Sequence, residues 1–192
     1  LKISDVYFPR VNGVSTSIRT FSLELQRQGH EVTLIAPAYP EGFDDEFEII
    51  RIPSRYILVD PEDRLMRGGA LRRRLDDLRR RNFDIIHVHT PFAAHYEGVW
   101  LGRQLGLPVV ETYHTYFEEY LDKYLTWLPR RALRYVARRF SRSQCEAVDA
   151  IVVPTRPMLD VLRDYGIGAD VDVIPTGIPA GAFSDGDGQR FR

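Results

Sequence analysis

Apolar, β-branched runs alternate along the chain with segments whose apolar residues recur every three to four positions. "LKISDVY" (1–7), "EVTLIAP" (31–37), "DIIHVH" (84–89), "PVVETYH" (108–114), "DAIVVP" (149–154) and "VDVIP" (171–175) read as strands, with "FEIIRIP" (47–53) and "RYILV" (55–59) as shorter ones. Val14, Ile18, Phe21 and Leu25 mark a helix over 14–28 that stops at Gly29, a residue suited to the left-handed cap position. Further helices are expected over 70–81, over 94–105 ending at Gly106, over 116–127 and 130–147, and over 156–165 ending at Gly166. Near-continuous apolar strands separated by helices predict an α/β fold: a Rossmann-like, doubly wound, mostly parallel sheet with helices on both faces.

That architecture places the chemistry. In open α/β sheets the ligand sits beyond the carboxyl ends of the strands, near the point where strand order reverses. The rule nominates Asn12 and Gly13 after the first strand, and His89 and Thr90 at the end of "DIIHVH". It also nominates His114, Thr115 and Tyr116 after "VVETY", and Thr155 after "DAIVVP". Asn-Gly is a hairpin signal, but the helical period that follows Gly13 removes that reading. A single glycine is not the three-glycine dinucleotide fingerprint, and the second strand ends "LIAP" without an acid. A nucleophilic hydrolase lacks support too, because no G-x-S-x-G elbow occurs.

Of the five histidines, His114 is the strongest site candidate. His87 is expected to be a hydrogen-bonded core residue, His30 to cap or face solvent behind Gly29, and His95 to sit on a helix surface. His87 and His89 are expected on opposite faces of their strand. No carboxylate stands beside them at a recognisable ligand spacing, so no metal is expected. Thr115 has a second reading as a cap for the following helix.

Composition narrows the class. A chain of 192 residues, 44% hydrophobic, is long enough for one good core. The net charge of −1 argues against a nucleic-acid binder but conceals an asymmetry: of 26 basic residues only Lys2 and Lys123 are lysines. The arginines cluster in 64–81 and 130–142, patches that either attract phosphates and anionic lipid heads or are solvated helix faces. Cys145 is alone, so no intrachain disulfide forms. No apolar run reaches the roughly 20 residues of a spanning helix, and no secretory signal is visible; the chain reads as cytoplasmic.

In register, "DVYFPRVNGVSTSI", "DIIHVHTPF", "VVETYHTYFEEYLDKY", "VVPTRPMLDVLRDYG" and "VDVIPTGI" resemble the N-terminal domain of family 4 retaining glycosyltransferases of the GT-B fold. The nearest branch is the lipid-directed one, diacylglycerol glucosyltransferases and related glucosyl- or mannosyltransferases. The resemblance runs to about Ile178. It implies an acceptor-side domain over 1–178, with 179–192 a linker towards a C-terminal donor-binding domain. The implied reaction moves a hexose from a nucleotide-diphosphate sugar, such as UDP-glucose or GDP-mannose, to a lipid or glycolipid acceptor, with retention and without metal or cofactor.

The same resemblance implies that Asn12 and Gly13 approach the donor diphosphate and sugar, and that His114 contacts the transferring sugar and is linked to catalysis. His89, Thr90, Thr115, Tyr116 and Thr155 are expected on the substrate and donor side. The family's paired acids lie in the C-terminal domain, so the isolated chain is expected to be inactive. Tyr116, Phe117, Tyr120, Tyr124 and Trp127 follow His114 as a core stripe or a lipid-facing surface. With the Arg-rich helices they suit peripheral docking on an anionic membrane at its inner face. A stand-alone α/β module for a phosphorylated ligand, and a metallohydrolase, remain as alternatives.

Overall fold

The computed structural model describes residues 1–57, 60–114 and 129–178. In chain order its elements are β1 (Lys2–Ile3), α1 (Gly13–Arg27), β2 (Thr33–Pro37), β3 (Glu48–Ile52), β4 (Ser54–Ile57), β5 (Asp60–Met66), α2 (Gly68–Arg72) and α3 (Leu75–Arg80). Then come β6 (Ile86–Val88), α4 (Ala93–Leu105), β7 (Val109–Thr112), α5 (Arg130–Cys145), β8 (Ala150–Val153), α6 (Arg156–Asp164) and β9 (Val171–Val173).

Seven strands pair in the order β3-β2-β1-β6-β7-β8-β9, and every neighbouring pair is parallel. β4 and β5 form a separate two-stranded antiparallel sheet. From β1 the chain steps outward through β2 to β3, then returns to β6 on the other side of β1 and proceeds to β9. Strand order therefore reverses between β1 and β6, which is where an open α/β sheet offers its crevice.

The period of two along each strand sorts side chains between the faces. Ile3, Ile35, Ile86, Val88 and Val109 meet Leu71, Leu78, Ala94 and Leu101 in one core. Leu34 and Ala36 turn the other way and pack with Tyr7, Ile18 and Phe47 beneath α1. Ile151 and Val153 build a third cluster with Ala137, Cys145, Leu162 and Tyr165. Gly98 and Gly102 lie one turn apart on α4, and a Cβ on either would strike Val88 or Val109. Their bareness lets α4 lie close on β6 and β7, which fixes its N-terminus at the crevice.

Three expectations change. β1 has two residues, not seven, because Ser4 Oγ donates to Val6 O at 2.7 Å and turns the chain away from its neighbours. The helix over 70–81 is two short ones: the Arg74 N–H closes on Leu71 O, three residues back, and interrupts the ladder. Its apolar stripe survives, with Leu71 and Leu78 buried. The strand expected over 55–59 is described as β4, Ser54–Ile57, paired with β5, whose sequence "DPEDRLM" carries no apolar alternation to announce it; residues 58 and 59 lie outside the described residues. The helix over 116–127, with its aromatic stripe, lies outside the described residues. Among the described residues, no helix is long and apolar enough to cross a membrane.

Candidate functional site

At the reversal point, Asp5 leaves β1 and is buried against the start of α4. Its Oδ1 and Oδ2 both accept from the Ala94 N–H at 3.1 Å. Thr90, just beyond β6, accepts from the Asp5 N–H at 2.7 Å and donates to Asp5 Oδ2 at 2.9 Å. Burial pushes the Asp5 carboxyl up to about 6, against the pull of these donors. A carboxylate at a helix N-terminus satisfies backbone groups that would otherwise lack partners. Thr90 thus sits where the sequence places it, at a strand end beside the crevice, with its hydroxyl engaged by Asp5.

Next to this clasp runs a row of imidazoles. His87 and His89 share one face of β6, with ring centroids 4.0 Å apart. This corrects the expectation of opposite faces: residues two apart on a strand project to the same side. His87 Nε2 lies 2.7 Å from Thr112 Oγ1, the hydrogen bond expected of a core histidine. His89 Nδ1 stands 3.4 Å from His114 Nε2, and the two ring centroids are 5.7 Å apart. The centroid distance exceeds the N···N distance by the combined radii of the two rings. The nitrogens therefore face each other along the ring planes, edge to edge.

All three rings are held neutral. Burial lowers His87 to about 3, with the Lys2 ammonium adding to it. His89 lies well below the usual range through burial, then through His87 and Lys2. Burial lowers His114 to about 4. Lys2, paired in register with His87 across β1 and β6, is itself buried and lowered to about 8. His95 is a further correction: it is buried rather than on a helix surface, and its Nδ1 lies 2.9 Å from Glu111 Oε2. Glu111 faces α4 because it alternates with Thr112 on β7, so the pair is on the opposite side of the sheet from His114.

The first loop ends at α1. Asn12 is its N-cap in extended backbone, and its Oδ1 accepts from the Ser15 N–H at 2.8 Å. Gly13 is the first helical residue and is exposed; a Cβ built there meets nothing within 4 Å. Thr155 caps α6 in the same way, accepting from the Met158 N–H at 3.3 Å. A contact of 3.4 Å between Ser17 Oγ and Thr176 Oγ1 ties the loop after β9 to α1.

The structure thus brings His89 and His114 into direct contact and sets Thr90 at the end of β6, while Asn12, Gly13 and Thr155 lie at the N-termini of α1 and α6 with no hydrogen bond or ring contact to the histidine pair among the described residues. Thr115 and Tyr116 lie outside the described residues. Sequence reasoning missed Asp5 and Lys2. Asp5 had a signal, an acid directly after the first strand beside the reversal point; Lys2 had a weaker one, a charge inside an apolar strand.

Comparison with known proteins identifies the family and the fold. The sequence pattern of Glycosyltransferase Family 4 matches residues 11–181. The alpha-monoglucosyldiacylglycerol synthase of Streptococcus pneumoniae is 34% identical over 94% of this chain and 40% of its own length. A GDP-mannose-dependent alpha-mannosyltransferase of Mycobacterium tuberculosis is 30% identical over 86% of this chain and 44% of its own length. The chain therefore spans less than half of either relative. Among solved structures, a sucrose-phosphate synthase from Thermosynechococcus elongatus superposes with a TM-score of 0.55 at 15% identity, covering 92% of this chain and 88% of that one, a likeness of fold. The matched pattern spans most of the sequence and the sheet has the Rossmann-like order: the chain belongs to glycosyltransferase family 4.

Proposed function

We propose that this chain is the acceptor-side half of a retaining hexosyltransferase that moves a hexose from a nucleoside-diphosphate sugar, such as UDP-glucose or GDP-mannose, to a lipid or glycolipid acceptor. The observation that carries the reading is the edge-to-edge pair of neutral imidazoles, His89 and His114, at the crevice edge of a sheet whose relatives are named for such transfers. A neutral imidazole can hydrogen-bond a sugar hydroxyl without adding charge where an oxocarbenium-like sugar develops. The exposed N-terminus of α1, with Gly13 at its first position, suits the departing diphosphate. Its free N–H groups and helix dipole favour anions, and no side chain stands in the way.

On this reading Asn12, Gly13, His89, Thr90, Thr115, Tyr116 and Thr155 border donor and acceptor, and His114 acts on the transferring sugar. Transfer uses no metal and no cofactor. Residues 179–192 form a linker to a donor-binding domain, and the 192-residue chain alone does not turn over. The protein works in the cytoplasm, peripherally at the inner membrane face. α5 supports this last point: Arg131, Tyr135, Arg138, Arg139 and Arg142 share its exposed face, opposite the buried Leu133, Ala137 and Ser141. Tyr135 and Val136 are 68% and 51% exposed there, an apolar surface among cations that suits an anionic bilayer.

The test is a panel of UDP- and GDP-sugars against diacylglycerol and glycolipid acceptors, run on the full protein that carries this chain. The expected product is an α-glycoside by NMR. Tight nucleotide-sugar binding with no transfer to any acceptor would favour a binding module instead.

A further inference from the structure

His89 Nε2 and Lys2 Nζ are both buried, and neither has a hydrogen-bond partner among the described residues. Buried polar atoms in that state call for an explanation. Three geometric facts supply one. The strand order places β1, with Lys2, on one side of β6 and β7, with His114 beyond its end, on the other. His89 Nδ1 is the nitrogen engaged with His114, so Nε2 is the nitrogen turned away from it. The N···N line runs in the plane of both rings, so one of the two facing nitrogens must carry the shared proton and the other must accept it.

Which one carries it follows from Lys2. An ammonium offers three donors and no acceptor, so its field favours the His89 tautomer with a bare lone pair at Nε2. The proton then sits on His89 Nδ1 and is donated to His114 Nε2. His114 Nε2 is thereby an acceptor, and the remaining proton of a neutral His114 lies on Nδ1. We propose that Lys2 and His89 are positioning residues that fix His114 as an Nδ1–H donor towards the bound sugar. His114, partly buried, then offers the crevice a hydrogen-bond donor instead of a general base.

The groups that bear on His89 are Lys2 from β1, His87 beside it on β6 and His114 from the end of β7. His87 is occupied by Thr112 and stays neutral. No group in this set therefore opposes the polarity that Lys2 imposes.

The inference rests on the sugar-transfer reading for its consequence, but its structural content is measured separately. In the full protein labelled with ¹⁵N-histidine, imidazole NMR at neutral pH is expected to show His114 protonated on Nδ1 and bare on Nε2. His89→Leu removes the donor, so His114 should redistribute between tautomers. The same variant should lower kcat about ten-fold, the scale of losing an orienting outer partner, with the KM for the donor sugar little changed. His89→Asn keeps an amide N–H near the place of Nδ1–H and should restore the tautomer and most of kcat. Lys2→Met should weaken the bias in the same direction as His89→Leu. His114 protonated on Nε2 in the unaltered protein would overturn the proposal, as would a leucine variant with unchanged tautomer and kcat. If the protein transfers no sugar at all, the functional reading fails, and the tautomer measurement still decides this proposal.

Discussion

Asp5 and Thr90 hold each other by two hydrogen bonds of opposite sense: the Asp5 N–H donates to Thr90 Oγ1 at 2.7 Å, and Thr90 Oγ1 donates to Asp5 Oδ2 at 2.9 Å. The pair joins β1 to the end of β6 where strand order reverses. Thr90→Val keeps the shape but leaves a buried N–H and a buried carboxylate oxygen short of a partner. An unsatisfied buried group costs about 1–3 kcal/mol, and that loss of stability is expected from urea denaturation. Thr90→Ser should lose less. A valine variant with unchanged stability but weakened substrate binding would give Thr90 a ligand role instead.

The buried titratable groups predict a pH dependence whose sign can be worked out. His87, His89 and His114 have folded values below their ordinary range, so unfolding makes them take up protons once the pH falls below about 6.5. Their stabilising contribution is complete above that pH and is lost as pH falls towards 4. Asp5 acts oppositely, because its raised value of about 6 keeps it protonated in the fold at pH 5, and unfolding releases that proton. Near pH 5 these four groups therefore give a net uptake of about two protons, or a fall of about 3 kcal/mol in stability per pH unit. Denaturation midpoints from pH 7 to pH 4.5 measure this. A flat profile would mean that the imidazoles are protonated inside the fold.

Removing His114 itself should leave the fold and lower transfer. His114→Ala deletes the ring next to His89; on the proposed function that ring hydrogen-bonds the transferring sugar, and a positioned hydrogen-bonding group in a reacting centre is worth about 100-fold or more. The full protein should show that loss in kcat, with circular dichroism unchanged. Because His114 is neutral down to about pH 4, the pH–rate profile should show no histidine inflection between pH 6 and 8. An inflection there that disappears in the alanine variant would make His114 a titrating acid or base.

The strands and the crevice were legible in the sequence because apolar runs and their ends depend on local pattern. Gly29, Gly106 and Gly166 all adopt the left-handed conformation expected of helix-ending glycines. What local pattern could not give was pairing. The β5 strand is polar and owes its place to β4, while the break between α2 and α3 lies inside one continuous apolar stripe. His114 stood out by position, but its partner did not, since the His89 contact spans 25 residues and needs β6 beside β7. Lys2 and Asp5 act through neighbours on β6 and α4, so their roles appear only once strand order is known.

The exposed face of α5 makes a separable prediction. Arg131→Glu together with Arg139→Glu reverses two charges on that face without touching the buried Leu133, Ala137 or Ser141. Near an anionic surface each basic residue contributes about 1 kcal/mol, so losing two and adding repulsion should cut vesicle binding at least 30-fold. Flotation with phosphatidylglycerol vesicles at low salt measures it, and activity on a water-soluble acceptor should be preserved. Equal flotation of the variant would assign these arginines to an ordinary solvated helix face.

Gly13 yields the sharpest separation of fold from function. It opens α1 behind the Asn12 cap, its backbone is not left-handed, and a Cβ there meets nothing of the protein within 4 Å. Nothing internal therefore requires glycine; its helix propensity is in fact below that of valine by a few tenths of a kcal/mol. Gly13→Val should leave stability unchanged or slightly raised. On the proposed function, the added side chain would stand where the donor diphosphate approaches the first amides of the helix. Displacing a bound group by about 1 Å is enough to cost some 100-fold in rate, so kcat/KM for the donor sugar should fall by that order while urea midpoints hold. Full activity in the valine variant would mean that the donor passes elsewhere and that the turn only connects β1 to α1.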